Sequence, residues 1–154
     1  CFEAVLAGRE ILTDSTASLS LFDCYQRSLA VSGFRSMPEA ASLTASNKRI
    51  GNILKKIDSS EVVALDAAAL TSTIEQKLCT SLDQIETSVE AMVQQQQYTE
   101  ALHTLAQLKE DIDHFFEEVM VMHEDPTIRA NRIALVSRVH RLFTAVADIA
   151  VLQV

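Results

Sequence analysis

Between residues 73 and 96 the apolar side chains Ile74, Leu78, Leu82, Ile85, Val89 and Met92 recur at intervals of three and four. At about 100° per residue, that interval returns each of them to one side of an α-helix. The same spacing runs through Leu102, Leu105, Leu108, Ile112 and Phe116, and again through Ile128, Leu135, Val139, Leu142, Phe143 and Val146. A helix with one apolar stripe must bury it, and several such helices in one chain bury their stripes against each other. No segment alternates with period two, and no internal repeat of roughly 20 to 50 residues is present. A sheet would also need tight turns, which 3 Gly and 2 Pro in 154 residues can scarcely supply. The pattern predicts an all-α helical bundle, and the length predicts one domain over residues 1–154.

Boundary signals divide the chain further. Residues 2–12 are amphipathic, and 13–20 (TDSTASLS) form a polar, cap-rich break before a second helix over 21–31, which Gly33 ends. Ser36 followed by Pro38 and Glu39 predicts a cap and a proline first turn, opening a long helix to about residue 57 that DSSE at 58–61 closes. After the connector VVALDAAAL, helices are expected over 73–96, with QQQQ as a frayed end, and over 98–119. MVMHE then links to Asp125 and Pro126, an N-cap with proline at the first helical position, starting a last helix to about residue 151. The chain enters its helical pattern at Phe2, Val5 and Leu6 directly after Cys1, so it reads as a piece of a longer polypeptide to which the function belongs.

Charge narrows the partners. With 13 basic and 21 acidic residues the chain carries −8, which disfavours indiscriminate binding to nucleic acid or acidic membranes. The distribution is uneven: residues 57–125 hold 15 acids against Lys77 and Lys109, whereas Lys48, Arg49, Lys55 and Lys56 lie together without an acid. Arg129, Arg132, Arg138 and Arg141 likewise share a stretch with no acid before Asp148. Cys1, Cys24 and Cys79 show no CxxC spacing and read as small apolar core residues in a reducing cytoplasm. No apolar run approaches the roughly 18 to 20 residues that span a bilayer, and no charged-then-apolar leader is seen, so a soluble chain is expected.

On a helical wheel, Ile50, Ile53, Leu54 and Ile57 share one face, while Lys48, Arg49, Asn52, Lys55 and Lys56 sweep the opposite one as a donor face. The alternative for that face is simple solvation. In the last helix Arg132 falls within the apolar stripe, which predicts a buried structural arginine paired with an acid such as Glu124 or Asp148. Arg129, Arg138 and Arg141 lie off the stripe.

Catalytic patterns are weak. There is no GxSxG, no GxxxxGK[ST] and no Gly-rich loop to cradle a phosphate. Glu100-x-x-His103 and Asp111-x-x-His114 have the ligand spacing of carboxylate-bridged di-iron bundles, but both fall on one predicted helix, so they read as surface residues and no metal is expected. His103-Thr-Leu resembles the start of a histidine-phosphotransfer motif, but Ala106 and Gln107 replace the Lys and Gly that should follow. His123 and His140 are isolated and read as structural or solvated. Phe115, Phe116 and Phe143 fall at core spacing and read as packing rather than base-stacking platforms.

Two strings go further. FFEEVMVMHEDPTIRANRIALVSRVHRLFTAVADIAVLQ, residues 115–153, closely resembles the carboxyl-terminal end of the β subunits of bacterial heterotetrameric glycyl-tRNA synthetases. ASNKRIGNILKK, residues 45–56, resembles the basic helix of that region, and FEAVLA fits its start. The region is similar to the DALR-type anticodon-binding module shared with arginyl-tRNA synthetases. The resemblance implies a C-terminal, non-catalytic fragment that binds the anticodon arm of glycine tRNA and needs no cofactor of its own. The parent would use ATP with Mg to activate glycine, with the active site in a separate α subunit. Implied partners are the tRNA, the rest of the β subunit and the α subunit, in the cytoplasm, with neither membrane nor DNA. The residues carried over are Lys48, Arg49, Asn52, Lys55, Lys56 and Arg129 near RNA, with Asp125, Asn131 and Arg132 as the signature of the last helix. Glycine codons begin with two G's, so the reader must meet cytosines in a single-stranded loop. Their N4 donor suits Asp or Glu, and their O2 and N3 acceptors suit Arg, Lys or Asn. The acidic remainder then acts as a repulsive surround against nonspecific RNA. The alternative is a helical protein-interaction module without RNA binding.

Overall fold

A computed structural model of the chain describes Glu3, Val5 and residues 21–57 and 64–152. Glu3 and Val5 are helical, whereas the expected break at 13–20 and the DSSE stop at 58–61 lie outside the described residues. The described helices are α1 (Leu21–Arg35), α2 (Ala40–Leu54), α3 (Thr73–Gln94), α4 (Tyr98–Ala106), α5 (Lys109–Glu118) and α6 (Pro126–Thr144). Short 3-10 turns lie at Ala67–Ala69 and Ile149–Val151, and no strand occurs among the described residues. The fold is all-α.

The apolar stripes meet in one continuous core, to which Phe34, Leu43, Leu82, Leu105, Phe115 and Phe143 contribute. α6 is central, packing on α2, α3 and α4, while α1 lies on α4 and α5 spans between α2 and α3. Because α6 is surrounded, it buries Ile133, Ala134, Leu135 and Val136 in succession, more than the single stripe that its sequence suggested. Val139, Leu142, Phe143 and Val146 are buried as expected, and Ile128 is half-buried. Cys79 is buried, Cys24 packs half-buried against the core, and Cys1 lies outside the described residues.

Several boundaries differ from the sequence reading. Gly33 does not end α1, which continues to Arg35 because Phe34 is pulled into the core with only 1% of its surface exposed. Ser36 does not cap α2 and Pro38 is not in its first turn. Both lie in a tight turn whose amides at Ser36, Met37 and Ala40 donate to the carbonyls of Gly33, Phe34 and Met37. α2 therefore starts at Ala40 without a side-chain cap.

The glutamine run is not frayed. Gln96 adopts φ 60°, its amide donates to Val93 O, and the amide of Gln97 donates to Met92 O at 2.8 Å, which closes α3 with a Schellman motif. The helix expected over 98–119 is two helices. Gln107 and Leu108 make short-range bonds to Thr104 O and Leu105 O, and the break redirects the chain from the α1 side toward α2 while keeping Leu108 buried. The last helix stops at Thr144 rather than near residue 151. There Arg27 donates to the carbonyls of Ala145 and Val146 at 2.7 and 2.8 Å, taking up helix-end acceptors. Asp148 then starts a separate turn by accepting from the amide of Ala150.

Candidate nucleic-acid interface

α2 presents two chemically distinct sides. Ala40, Leu43, Asn47 and Ile50 are buried, and Ile53, Leu54 and Ile57 are half-buried at the edge of the core. Lys48, Arg49, Asn52, Lys55 and Lys56 are all exposed, as the wheel predicts. Lys55 and Lys56 follow directly on the end of the helix, where the carbonyl dipoles favour positive charge. Arg49 is held: its guanidinium lies 4.5 Å from the centroid of the Phe116 ring and donates to Phe116 O at 3.4 Å. Phe116 thus supports a cation, while Phe115 and Phe143 are wholly buried packing residues.

Several other cations among the described residues are neutralised. Arg27 pairs with Asp23 at 2.8 Å, Lys77 with Asp111 and Lys109 with Asp113 at 2.7 Å. Arg138 pairs with Asp83 at 2.6 Å and with Glu86, and Arg141 also pairs with Glu86. The acid-free stretch of α6 is therefore balanced in space by α3, a match invisible along the chain. Among the described residues, Lys48, Lys55 and Lys56 pair with no carboxylate. Their field remains directed outward.

Arg132 is structural, but its partner is neither Glu124 nor Asp148. It pairs with Glu75, whose side chain is 1% exposed, and donates to Met120 O at 2.7 Å. Glu75 also accepts from the amides of Thr71 and Ser72 while Ser72 Oγ accepts from Ile74 N, so the pair joins the capping box of α3 to α6. The string Ser72-x-x-Glu75 carried that signal in the sequence. Asp125 caps α6 through the amides of Thr127 and Ile128, and these two bonds hold its carboxyl below the usual carboxylate range. Asn131 clasps the connector, accepting from Asp66 N at 2.8 Å and donating to Asp66 O at 2.9 Å. Arg129 is half-buried and donates to His123 O at 3.2 Å.

Between α2 and the Ile149–Val151 turn lies a groove of about 700 Å³. Lys48, Gly51 and Asn52 line it from α2, Lys55 from just past the end of that helix, His140 from α6, and Asp148 with Leu152 from the segment after α6. Sequence reasoning assigned no role to Gly51, offered Asp148 only as a partner for Arg132, and left His140 as structural or solvated. A glycine inside a helical pattern was the available signal. His140 Nδ1 is enclosed without a hydrogen-bond partner. Burial pushes the imidazole below the usual histidine range, with Asp148 opposing and Lys55 adding to the shift. Arg129 is not brought to this groove: it lies eleven residues before His140, about 16 Å along the axis of α6.

His103 and His114 are exposed, on α4 and α5 respectively, and Asp111 is engaged by Lys77 and by Ser81 Oγ at 2.6 Å. Among the described residues no group of three or more His, Cys, Asp or Glu is placed to hold a metal. No helix among them is long and apolar enough to cross a membrane.

Residues 43–150 match the family described as DALR anticodon binding domain. The chain is similar to the glycine–tRNA ligase beta subunit of Leptothrix cholodnii, at 44% identity over 84% of this chain and 18% of that protein. It is similar to the subunit of the same name from Pseudomonas fluorescens, strain ATCC BAA-477, at 44% over 87% of this chain and 20% of that protein. The one from Methylobacillus flagellatus is 43% identical over 84% of this chain and 18% of that protein. The chain thus spans about a fifth of the length of these relatives.

Proposed function

Because this chain belongs to the DALR anticodon-binding family, we propose that it is the tRNA-binding part of a glycine–tRNA ligase β subunit and that the outer face of α2 meets the anticodon arm. The carrying observation is the contrast in charge: Arg132, Arg138 and Arg141 of α6 are spent on carboxylates, while Lys48, Lys55 and Lys56 remain unpaired among the described residues. Phosphates would meet these lysines, Arg49 would add a cation braced on Phe116, and Asn52 would offer a neutral amide to a base edge. Arg129 lies apart from that face and would touch RNA only beyond it.

In the parent enzyme, ATP with Mg would activate glycine outside this chain, in a separate α subunit, so the chain by itself would form no glycyl adenylate. Its partners would be glycine tRNA, the rest of the β subunit and that α subunit, all in the cytoplasm. The exposed stripe of Leu21, Phe22, Tyr25 and Leu29 on α1, ahead of the family match, supports contact with the longer polypeptide.

The test is the salt dependence of binding to a glycine-anticodon stem-loop. Each phosphate contact on a single-stranded loop contributes about 0.7 to the slope of log affinity against log salt. Lys55→Gln with Lys56→Gln should flatten the slope by roughly 1.4 if both contacts are made. An unchanged slope and affinity would mean that this face is only solvated.

A further inference from the structure

Along the outer side of α1, Leu21, Phe22, Tyr25 and Leu29 fall within roughly 100° of arc. They stand in solvent, Leu21 with 90% of its surface exposed, Phe22 and Tyr25 with 60% and Leu29 with 50%. Exposed Ser32 and Gly33 continue that side without adding charge. The charges of α1 are placed elsewhere. Asp23 is buried and accepts from Tyr98, Arg27 is turned toward Asp23 and the carbonyls of Ala145 and Val146, and Arg35 stands in the last turn. In a chain of net charge −8, an uncharged face with four large apolar side chains suits another apolar surface and offers nothing to a phosphate backbone.

The face is firm. Ala30, Val31 and Phe34 anchor the inner side of α1 in the core, and Arg27 ties the helix to the end of α6. It is also small. Four large side chains at these exposures offer on the order of 500 Å², whereas each partner in a standard interface between separate proteins contributes about 800 Å². A second copy or a separate subunit would be held weakly there, but a surface on the same polypeptide meets the stripe at a millimolar effective concentration. The relatives contain such polypeptide: about four-fifths of their length lies outside this chain. α1 itself precedes residue 43, where the family match begins.

Resting on the reading of this chain as part of a β subunit, we propose that the outer face of α1 is the seat of the rest of that subunit, which packs an uncharged apolar surface on Leu21, Phe22, Tyr25 and Leu29. None of the four lines the groove beside α2, so the seat is tested apart from the RNA face.

Tyr25→Cys and Leu29→Cys test it through the rate at which a small neutral maleimide modifies each thiol, read peptide by peptide in a mass spectrometer, in this chain and in the full-length β subunit that carries it. In this chain both should react as fast as Thr87→Cys, a control at an exposed position of α3. In the full-length subunit both should slow at least tenfold while the control does not. Leu21→Asp with Leu29→Asp, added to the Tyr25→Cys reporter, should restore the fast rate there. Because those side chains face outward, the same pair should leave the melting temperature of this chain close to the parent's. Equal rates in the two settings, or protection that survives the aspartates, would overturn the seat. So would protection already present in this chain alone, the mark of a second copy if it deepens with concentration, and protection that appears only when the α subunit is added. The tRNA reading rests instead on the salt slope, which none of these substitutions should move. Equal thiol rates with a salt-sensitive affinity remove the seat alone, and a parent without salt-sensitive RNA affinity removes the tRNA reading whatever the thiols do.

Discussion

Arg132 and Glu75 meet at the joint between the start of α3 and the middle of α6, and among the described residues neither pairs with another charge. Removing one member of a buried ion pair leaves the other desolvated and uncompensated, typically at about 3 to 5 kcal/mol. Arg132→Met is therefore expected to lower the melting temperature sharply, by thermal denaturation monitored at 222 nm, without altering the salt slope of RNA binding. Gln96 presents the opposite case. Its φ of 60° places a non-glycine residue in the left-handed region at a helix C-terminus, at a cost on the order of 1 kcal/mol. Gln96→Gly should raise the urea midpoint, less whatever the 3.4 Å contact of Gln96 Nε2 with Asp23 Oδ1 contributes. His140 sets a pH dependence. Its pKa in the folded chain lies below the ordinary 6.5, so the unfolded chain takes up the proton first. The stability it carries is full above about pH 6.5 and falls as the pH drops through that value toward the folded pKa. His140→Gln should flatten the loss of melting temperature between pH 7.5 and 5.5, with Asp148 and Lys55 as the charged neighbours that remain.

At the scale of the elements, α2 and α6 look alike in the sequence, each a helix with several cations and no nearby acid. The fold separates them. α6 lies along α3, whose Asp83, Glu86 and Glu90 answer Arg138 and Arg141, whereas Lys48, Lys55 and Lys56 pair with no carboxylate among the described residues although the acidic α5 packs on α2. Arg138→Gln with Arg141→Gln should leave RNA affinity and its salt slope close to the parent's, because those guanidinium groups already have carboxylate partners. A slope change as large as that of the Lys55 and Lys56 variant would place the RNA on α6 instead. The split between α4 and α5 belongs to this scale too. The apolar series from Leu102 to Phe116 is continuous in period, and only the need to face α1 with one half and α2 with the other breaks it.

For the whole molecule, the core links segments on both sides of residues 58–63: α1 packs on α4, α2 on α5 and α6, and Arg27 of α1 holds the end of α6. A chain joined in this way should unfold as one unit. Urea unfolding followed by far-UV circular dichroism and by tyrosine emission, with Tyr98 buried in the core, is expected to give coincident midpoints. Two separated transitions would divide the chain into two domains. Tyr98 also offers a marker of the native state: burial first, and then its hydrogen bond to Asp23, push the phenol up to about 12, so its ionisation should be delayed until the chain unfolds.

The sequence by itself determined the class, the donor face and the cap that opens α6. A period of three to four fixes which side chains share a face regardless of neighbours, so Lys48, Arg49, Asn52, Lys55 and Lys56 were legible as one exposed surface, and Asp125 with Pro126 as a helix start. It also placed Arg132 inside a buried stripe. What it left open were quantities that depend on a second element. Glu75 as the partner of Arg132, the neutralisation of Arg138 and Arg141, and the ends of α1 and α6 all follow from packing between residues far apart in the chain. The groove is the clearest instance. Gly51, His140 and Asp148 come from three segments whose proximity no local spacing encodes, because a cavity is made by the distance between elements and not by the period within any one of them.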